Sequence, residues 1–327
     1  MDNITWPKVS LIISNLNGKE MLKECLESLE RLDYPNYEII VVDAGSTDGA
    51  PEMVSKEFPR VRLLREKRIG IGEAINKGLI AAQGDINAFD INNDEVFSRD
   101  WLKILVGELL SSKEKKVVEG VRLVHGSKGV VDAAGGLVRF NGFSFVRGRH
   151  EKFEDLPKIP TEVTYAGTPV FKRELLNVIG FCDEKYYIWC EDVDFCEKAR
   201  RAGYKILSIP SAISYHKRGA TLKSLGAKTH YYIWRNRVRL FIKHYSLVRM
   251  FVALAIWAGY LAGNMVVILS SSRRILSLIG IRSAHMPKSR ELFMALLESI
   301  FWNLKNLEDH FRARAVIQSI KPIAEVQ

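Results

Sequence analysis

The stretch YEIIVVDAGSTDG, Tyr37–Gly49, runs through Ile-Ile-Val-Val and breaks at Asp43 into Ala, Gly, Ser, Thr and Asp. An apolar, β-branched run without polar alternation fits a strand covered on both faces. The Gly-Ser-Thr-Asp-Gly that follows is turn chemistry, and Pro51 suits the first turn of a helix. Upstream, VSLIISN (Val9–Asn15) repeats the strand pattern, and Leu22, Cys25, Leu26, Leu29 and Leu32 between the two recur at helical spacing. Downstream come VRLLR, a helix from about Gly72 to Ala82, and a strand near Ile86–Ile91. Such strand–helix alternation predicts an α/β domain with a mostly parallel, doubly wound central sheet and helices on both faces. Ligands of such sheets lie beyond the carboxyl ends of the strands, and Asp43 occupies one such end. RIGIGEAINKG has Gly70 and Gly72 but not the G-x-G-x-x-G spacing of a dinucleotide fold.

Residues 117–171 change character, with short extended stretches and glycine-rich turns at AAGG (Ala133–Gly136) and NGF (Asn141–Phe143), which read as a mixed-sheet half. YKILSIP and AISYH read as two late strands on either side of Ser211. The four cysteines form no C-x-x-C pair and the N-terminus has no secretory pattern, so a reducing cytoplasm is expected.

The net charge of +10 is regional. Between Lys217 and Arg290 there are fourteen Lys or Arg and no Asp or Glu, whereas residues 1–216 carry 30 basic against 33 acidic side chains. That basic region encloses the uncharged run Met250–Leu269, and LFMALLESIFWNL follows from Leu292. Basic flanks around an apolar run suit anionic headgroups better than a core. The expectation is a catalytic domain over 1–245 and a helical membrane-associating region over 246–327, contacting the bilayer through 246–310. Whether Met250–Leu269 spans or lies in the interface stays open. No zinc-finger spacing or aromatic-interleaved basic motif points to nucleic acid.

Three acidic spots stand out: Asp43 with Asp48, the cluster DINNDE (Asp90–Glu95), and WCEDVDFCEKARRAG (Trp189–Gly203). Each alone fits a turn or a helix N-terminus. In this order, the set resembles the glycosyltransferase family 2 pattern over about Val9–His244, carried by VSLIISNLNG, EIIVVDAGSTDG, RIGIGEAINKGLIAAQGD, NND and GFCDEKYYIWCEDVDFCEKARRAGYKILSIPSAISYHKRGAT. The likeness is closest to rhamnosyltransferase-like members. It implies a GT-A fold, Rossmann-like in its sheet, followed by C-terminal helices. It further implies an inverting enzyme on the cytoplasmic side of the cell membrane, moving a sugar from a nucleotide-diphosphate donor to a lipid-linked or glycan acceptor with Mg²⁺ or Mn²⁺. By position, Asp192 would be the general base beside Glu191, and Asp43, Arg68, Asn15 and Asn92 would meet the donor. Asp94 would hold the metal, with Asp90 a further candidate because the register of the motif reads in two ways, and His216 another because it resembles a histidine that meets the metal or phosphate in related enzymes. Tyr186, Tyr187 and Trp189 would offer aromatic faces to the acceptor. A polyprenyl-phosphate monosaccharide synthase and a non-catalytic membrane-bound scaffold of the same fold are the alternatives.

Overall fold

The computed structural model describes residues 6–141, 143–218, 225–270 and 289–321, with side chains as far as 263 in the third stretch and from 290 in the last. Two compact units divide the chain: Met1–Val138, Ser144–Arg218 and Ile320–Gln327 in the first, Arg139–Phe143 and Gly219–Ser319 in the second.

The first unit opens with the expected alternation. Strand β1 (Val9–Asn15) leads to α1 (Lys19–Leu29), β2 (Tyr37–Asp43), α2 (Ala50–Glu57), β3 (Arg62–Arg65), α3 (Ile71–Ala81) and β4 (Ile86–Ile91). Then come β5 (Glu95–Phe97), α4 (Trp101–Leu110), β6 (Lys116–Val124), β7 (Val131–Ala133) and the hairpin β8 (Gly136–Val138) with β9 (Ser144–Val146). The unit continues through β10 (Thr161–Glu162), β11 (Val170–Lys172), α5 (Leu175–Ile179), α6 (Glu191–Arg201) and β12 (Lys205–His216). The main sheet runs β10-β12-β6-β11-β4-β1-β2-β3, with β5 on β12 and β7 on β6. The half β4-β1-β2-β3 is parallel, and β11 enters antiparallel between β4 and β6, which makes the second half mixed as expected.

Both faces of the central strands are covered, which is why their sequences do not alternate. Val9, Leu11, Ile13, Ile39 and Val41 pack with α1, α2 and α4, while Ile12, Ile40 and Val42 pack with α3, α5 and α6. On the latter face Phe89, Phe171 and Phe195 form an aromatic triad with centroids 4.7–5.8 Å apart. It ties β4, β11 and α6 into one block.

The two late strands are in fact one. β12 is continuous across Pro210, but its pairing with β6 shifts register between Ile209 and Ile213. Proline cannot donate to a ladder and is accommodated at such a bulge.

The second unit is helical: α7 (Lys228–His244), α8 (Leu247–Ser270), α9 (Ser289–Lys305) and α10 (Leu307–Ser319). Helix α7 packs on α9 and α10, and α8 packs on α9. Arg235 of α7 lies 4.1 Å from the Trp302 ring centroid and 4.9 Å from that of Tyr232. A membrane-spanning reading of Met250–Leu269 finds no support, since no helix among the described residues is long and apolar enough to cross a membrane. Residues 271–288 of the expected membrane stretch, including Arg273, Arg274 and Arg282, lie outside the described residues.

Phe195→Ala should remove the centre of the aromatic triad and cost about 3–5 kcal/mol. At about 2–4 °C per kcal/mol for a chain of this size, calorimetry should find the melting point lowered by roughly 10 °C.

Candidate active site

Two neighbouring strand ends build the first part of the site. Asn15 and Asp43 are register partners at the carboxyl ends of β1 and β2. Asp43 Oδ1 accepts the amides of Gly45 (3.1 Å) and Ser46 (2.8 Å), and Oδ2 accepts from Ser46 Oγ (2.6 Å) and Asn15 Nδ2 (3.0 Å). Asn15 Oδ1 accepts from Asn93 Nδ2 at 2.7 Å, which carries the link to the loop after β4. Asp43 is 2% exposed and spends its acceptor capacity on its own loop, so it shapes that loop and does not face outward. Asp48 secures the same loop by accepting the amides of Gly18, Lys19 and Ala50. Arg68 is exposed beside it. A Cβ on Gly45, whose φ is +93°, would stand 3.0 Å from the Arg68 nitrogen, so glycine permits this approach.

The second part is a histidine between two carboxylates. β5 pairs with the end of β12 in the register His216↔Glu95, which sets Asp94 beside His216. Asp94 Oδ1 lies 3.1 Å from His216 Nε2, and Asp132 Oδ2 lies 2.6 Å from Nδ1. Burial lowers the pKa of His216, but hydrogen bonds to Asp132 and Asp94 outweigh it and push the value up to about 9. Asp90 does not join this pair, and the Asn92 amide donates to Glu95 Oε1 at 2.7 Å. Among the described residues no group of three or more His, Cys, Asp or Glu is arranged to hold a cation. Asp94 and His216 alone form a two-ligand edge, a donor set suited to a hard cation that takes its other ligands from water and phosphate oxygens.

The third part lies at the start of α6. Trp189 (φ 66°) and Cys190 (φ 74°) both adopt left-handed backbone just before Glu191 and Asp192, and Asp90 at the end of β4 does the same (φ 56°). Such residues cost on the order of 1–3 kcal/mol each and are held only by their surroundings. Part of the hold comes from α3: Ile71 N donates to Tyr187 O at 2.7 Å, and a Cβ on Gly70 would fall 2.9 Å from Tyr187 Cα. Asp192 is partly exposed, whereas Glu191 is buried with Oε2 unpartnered. Tyr186 is fully buried, which corrects the expectation that its ring faces an acceptor. Tyr187 and Trp189 retain partial exposure.

One cation reaches both carboxylate groups. Arg122 of β6 donates to Glu95 Oε1 at 3.2 Å and stands within the electrostatic reach of Glu119, Asp132 and Asp90, and of Asp192. Burial lowers its pKa, yet these carboxylates raise it further and keep it charged. Burial pushes Asp192 up to about 6 and Glu119 up to about 7. For Asp90, burial and then the Asp192 charge push the value to about 8, and Glu191 is raised well above the usual range by the same two causes, its neighbours being Asp90 and Asp192. Glu119 Oε2 accepts the Gly167 amide at 2.9 Å, while Oε1 has no partner.

Asn93 and Glu95 lie within the marked DINNDE cluster without a role, whereas Glu119, Arg122 and Asp132 lie outside the three marked acidic spots. For Glu119 and Arg122 a signal exists, since VVEGVRLV sets two charges inside an otherwise apolar strand. Asp132 sits in VDAAGG with no such contrast.

A group whose folded pKa is raised favours folding at low pH and loses that contribution as pH climbs to the folded value. Ionised Asp90 is therefore destabilising, and Asn suits its left-handed backbone. Asp90→Asn should raise the melting temperature by several degrees at pH 8 and by much less near pH 4.

Comparison with known proteins identifies the family. Residues 10–180 match the family model described as Glycosyl transferase family 2. The chain is 31% identical over 229 residues to the uncharacterized protein y4gI of Sinorhizobium fredii, covering 66% of this chain and 25% of that protein. It is 34% identical over 100 residues to the putative glycosyltransferase EpsH of Bacillus subtilis, covering 30% and 27%. The matched stretches thus span about a quarter of these relatives' length. Among solved structures, the mannosyltransferase PcManGT from Pyrobaculum calidifontis, in complex with GDP-Man and Mn²⁺, superposes with a TM-score of 0.55 at 19% identity over 96% of this chain and 86% of that one. TarS 1–349 of S. aureus in complex with UDP-GlcNAc gives 0.53 at 20% identity over 95% and 91%. At these identities the structural likeness establishes a shared GT-A-type fold, and the family match settles the rest: the chain belongs to glycosyltransferase family 2.

Proposed function

We propose that the chain is an inverting glycosyltransferase that moves a sugar from a nucleotide-diphosphate donor to a hydroxyl of a membrane-linked glycan acceptor. The observation that carries the reading is the position of Arg122, whose charge acts on Asp192 on one side and on Glu95 and Asp132, the support of His216, on the other. It joins the edge of α6 and the Asp94–His216 pair in one electrostatic site. PcManGT holds GDP-Man with Mn²⁺ and TarS holds UDP-GlcNAc, which supports a nucleotide-sugar donor and a divalent cation here.

Asp192 is the general base. Its pKa near 6 leaves it ionised at neutral pH yet more basic than an ordinary aspartate, so it can accept the acceptor hydroxyl proton during attack. General base catalysis contributes roughly 10²- to 10⁴-fold in rate. Glu191, buried behind it, is held well above the usual carboxylate range by burial and by the Asp90 and Asp192 charges. Attack from the Asp192 side in a single displacement inverts the anomeric centre. Donor binding falls to the loop shaped by Asp43 and Asn15, with Arg68 beside it. Asp94 and His216 would hold Mg²⁺ or Mn²⁺, which offsets charge developing on the leaving diphosphate.

The second unit supports a membrane partner bound at the surface. Helix α9 exposes Met294, Leu297, Phe301 and Leu304 at i, i+3, i+7, i+10 spacing, and α8 exposes Leu247, Val248 and Phe251. Arg290 and Lys305 are exposed on α9. An apolar stripe with basic residues on the same helix suits shallow insertion into an anionic leaflet. The acceptor would then be met at the cytoplasmic face of the cell membrane.

Asp192→Asn should lower transfer at least 10²-fold while UDP or GDP affinity stays within about twofold; parallel loss of both would remove the base from its role. In the unmodified protein the rate should rise about tenfold per pH unit up to pH 6 and level off above, because the base works only when deprotonated. Introducing Phe301→Asp together with Leu304→Asp should cut co-sedimentation with phosphatidylserine vesicles by about tenfold or more with unchanged helicity. Undiminished sedimentation would rule out the stripe.

A further inference from the structure

We propose that Asp132 is a positioning residue that locks the His216 ring with Nε2 turned toward Asp94, presetting the edge that receives the divalent cation. The inference rests on the reading of Asp94 and His216 as that edge.

The geometry is specific. Asp132 lies at the middle of the three-residue strand β7, whose pairing with β6 shifts register between Arg122 and Leu123. A bulge of this kind re-aims a side chain, and here the carboxylate meets the end of β12. Its two oxygens are divided: Oδ2 faces His216 Nδ1 at 2.6 Å, and Oδ1 accepts from Arg218 Nε at 2.6 Å. Arg218 Nη2 closes on the same Oδ1, so the carboxylate is gripped by the guanidinium while its other oxygen holds the ring. The Asp132 side chain is 6% exposed, which shields this grip from water.

An imidazole has a broad, roughly two-fold χ2 preference, so an unheld ring can present either edge. A carboxylate on Nδ1–H removes that freedom, fixes which nitrogen carries the proton, and makes Nε2 a stronger donor to a cation. In this structure Nε2 already points at Asp94 Oδ1, 3.1 Å away. A cation received at this edge would sit between the same two atoms.

A salt bridge to Arg218 alone would also explain a buried Asp132, and coupling separates the two roles. Mn²⁺ alone is titrated into the full-length protein, with free Mn²⁺ followed by its electron paramagnetic resonance signal. Asp132→Ala should weaken Mn²⁺ binding roughly 10- to 100-fold, as removal of such a supporting carboxylate does elsewhere. Asp132→Asn should recover part of the loss, because its amide oxygen can still accept from Nδ1–H. In a His216→Ala background, Asp132→Ala should cost nothing further. If His216→Ala weakens Mn²⁺ binding while Asp132→Ala does not, or if the two losses multiply, the positioning role is overturned and the two-ligand edge survives. If neither substitution changes the affinity, the edge itself is wrong and the proposal falls with it. Circular dichroism without metal identifies folded variants, and should Asp132→Ala fail to fold, the same cycle run with Asp132→Asn decides the question.

Discussion

A relay of buried amide and carboxylate hydrogen bonds, Ser46 to Asp43 to Asn15 to Asn93, fixes where the strand ends stand relative to one another. The sheet ladder sets register along each pair, but beyond the last pair the chain turns into loops with no ladder to hold them. Buried polar groups must be satisfied, so the two ends and the following loop are held together by these bonds, with Asn17 adding bonds to Ser46 and Asn93. Asn93 is adjacent to Asp94, and Asp94 meets His216, so the relay extends by backbone into the proposed cation edge. Losing Asn15 would leave Asp43 and Asn93 each short of a partner in a place where water has little access.

The carboxylates impose a different constraint. Asp90, Glu119 and Asp192 lie within electrostatic reach of one guanidinium, with Glu191 beside Asp90 and Asp192; burial raises all four pKa values, and like charge adds to the rise at Asp90, Glu119 and Glu191. Asp192 is raised least of those with a stated value, and it is partly exposed, as is Asp90. The environment therefore separates the value of Asp192, about 6, from that of Asp90, about 8, and such a separation lets one cluster support acid and base roles. The left-handed backbone at Asp90, Trp189 and Cys190 is the conformational cost of bringing these acids so close.

The parallel half of the sheet was legible because burial on both faces leaves a direct trace in composition: VSLIISN and YEIIVVD became β1 and β2 at the expected bounds. The late strand was misdivided because Pro210 looks like a terminator, whereas a register shift lets the strand continue past it. Asp94, His216, Glu191 and Asp192 stand at element ends that the sequence already marked. Asp90 was drawn toward the metal motif by proximity in the chain, but its left-handed backbone turns it to the α6 side, and no spacing rule reports that. Arg122 and Asp132 come from β6 and β7, and only pairing across the sheet reveals that they face the same site.

Charge balance favours the proposed cation. Glu95, Glu119, Asp90, Asp192 and Asp132 surround Arg122, with Arg218 on Asp132 and His216 between Asp132 and Asp94. Even with Asp90 and Glu191 neutral, a nucleotide diphosphate would bring more negative charge into a partly desolvated acidic site. Coulomb repulsion between unit charges about 4 Å apart is near 4 kcal/mol at an effective dielectric of 20, so such a donor is excluded unless positive charge enters with it. Arg68 is exposed and screened, and Arg122 is already engaged by Glu95. A divalent cation at Asp94 and His216, as proposed, would reverse the sign of the field there, at a position set by where the paired donors already stand.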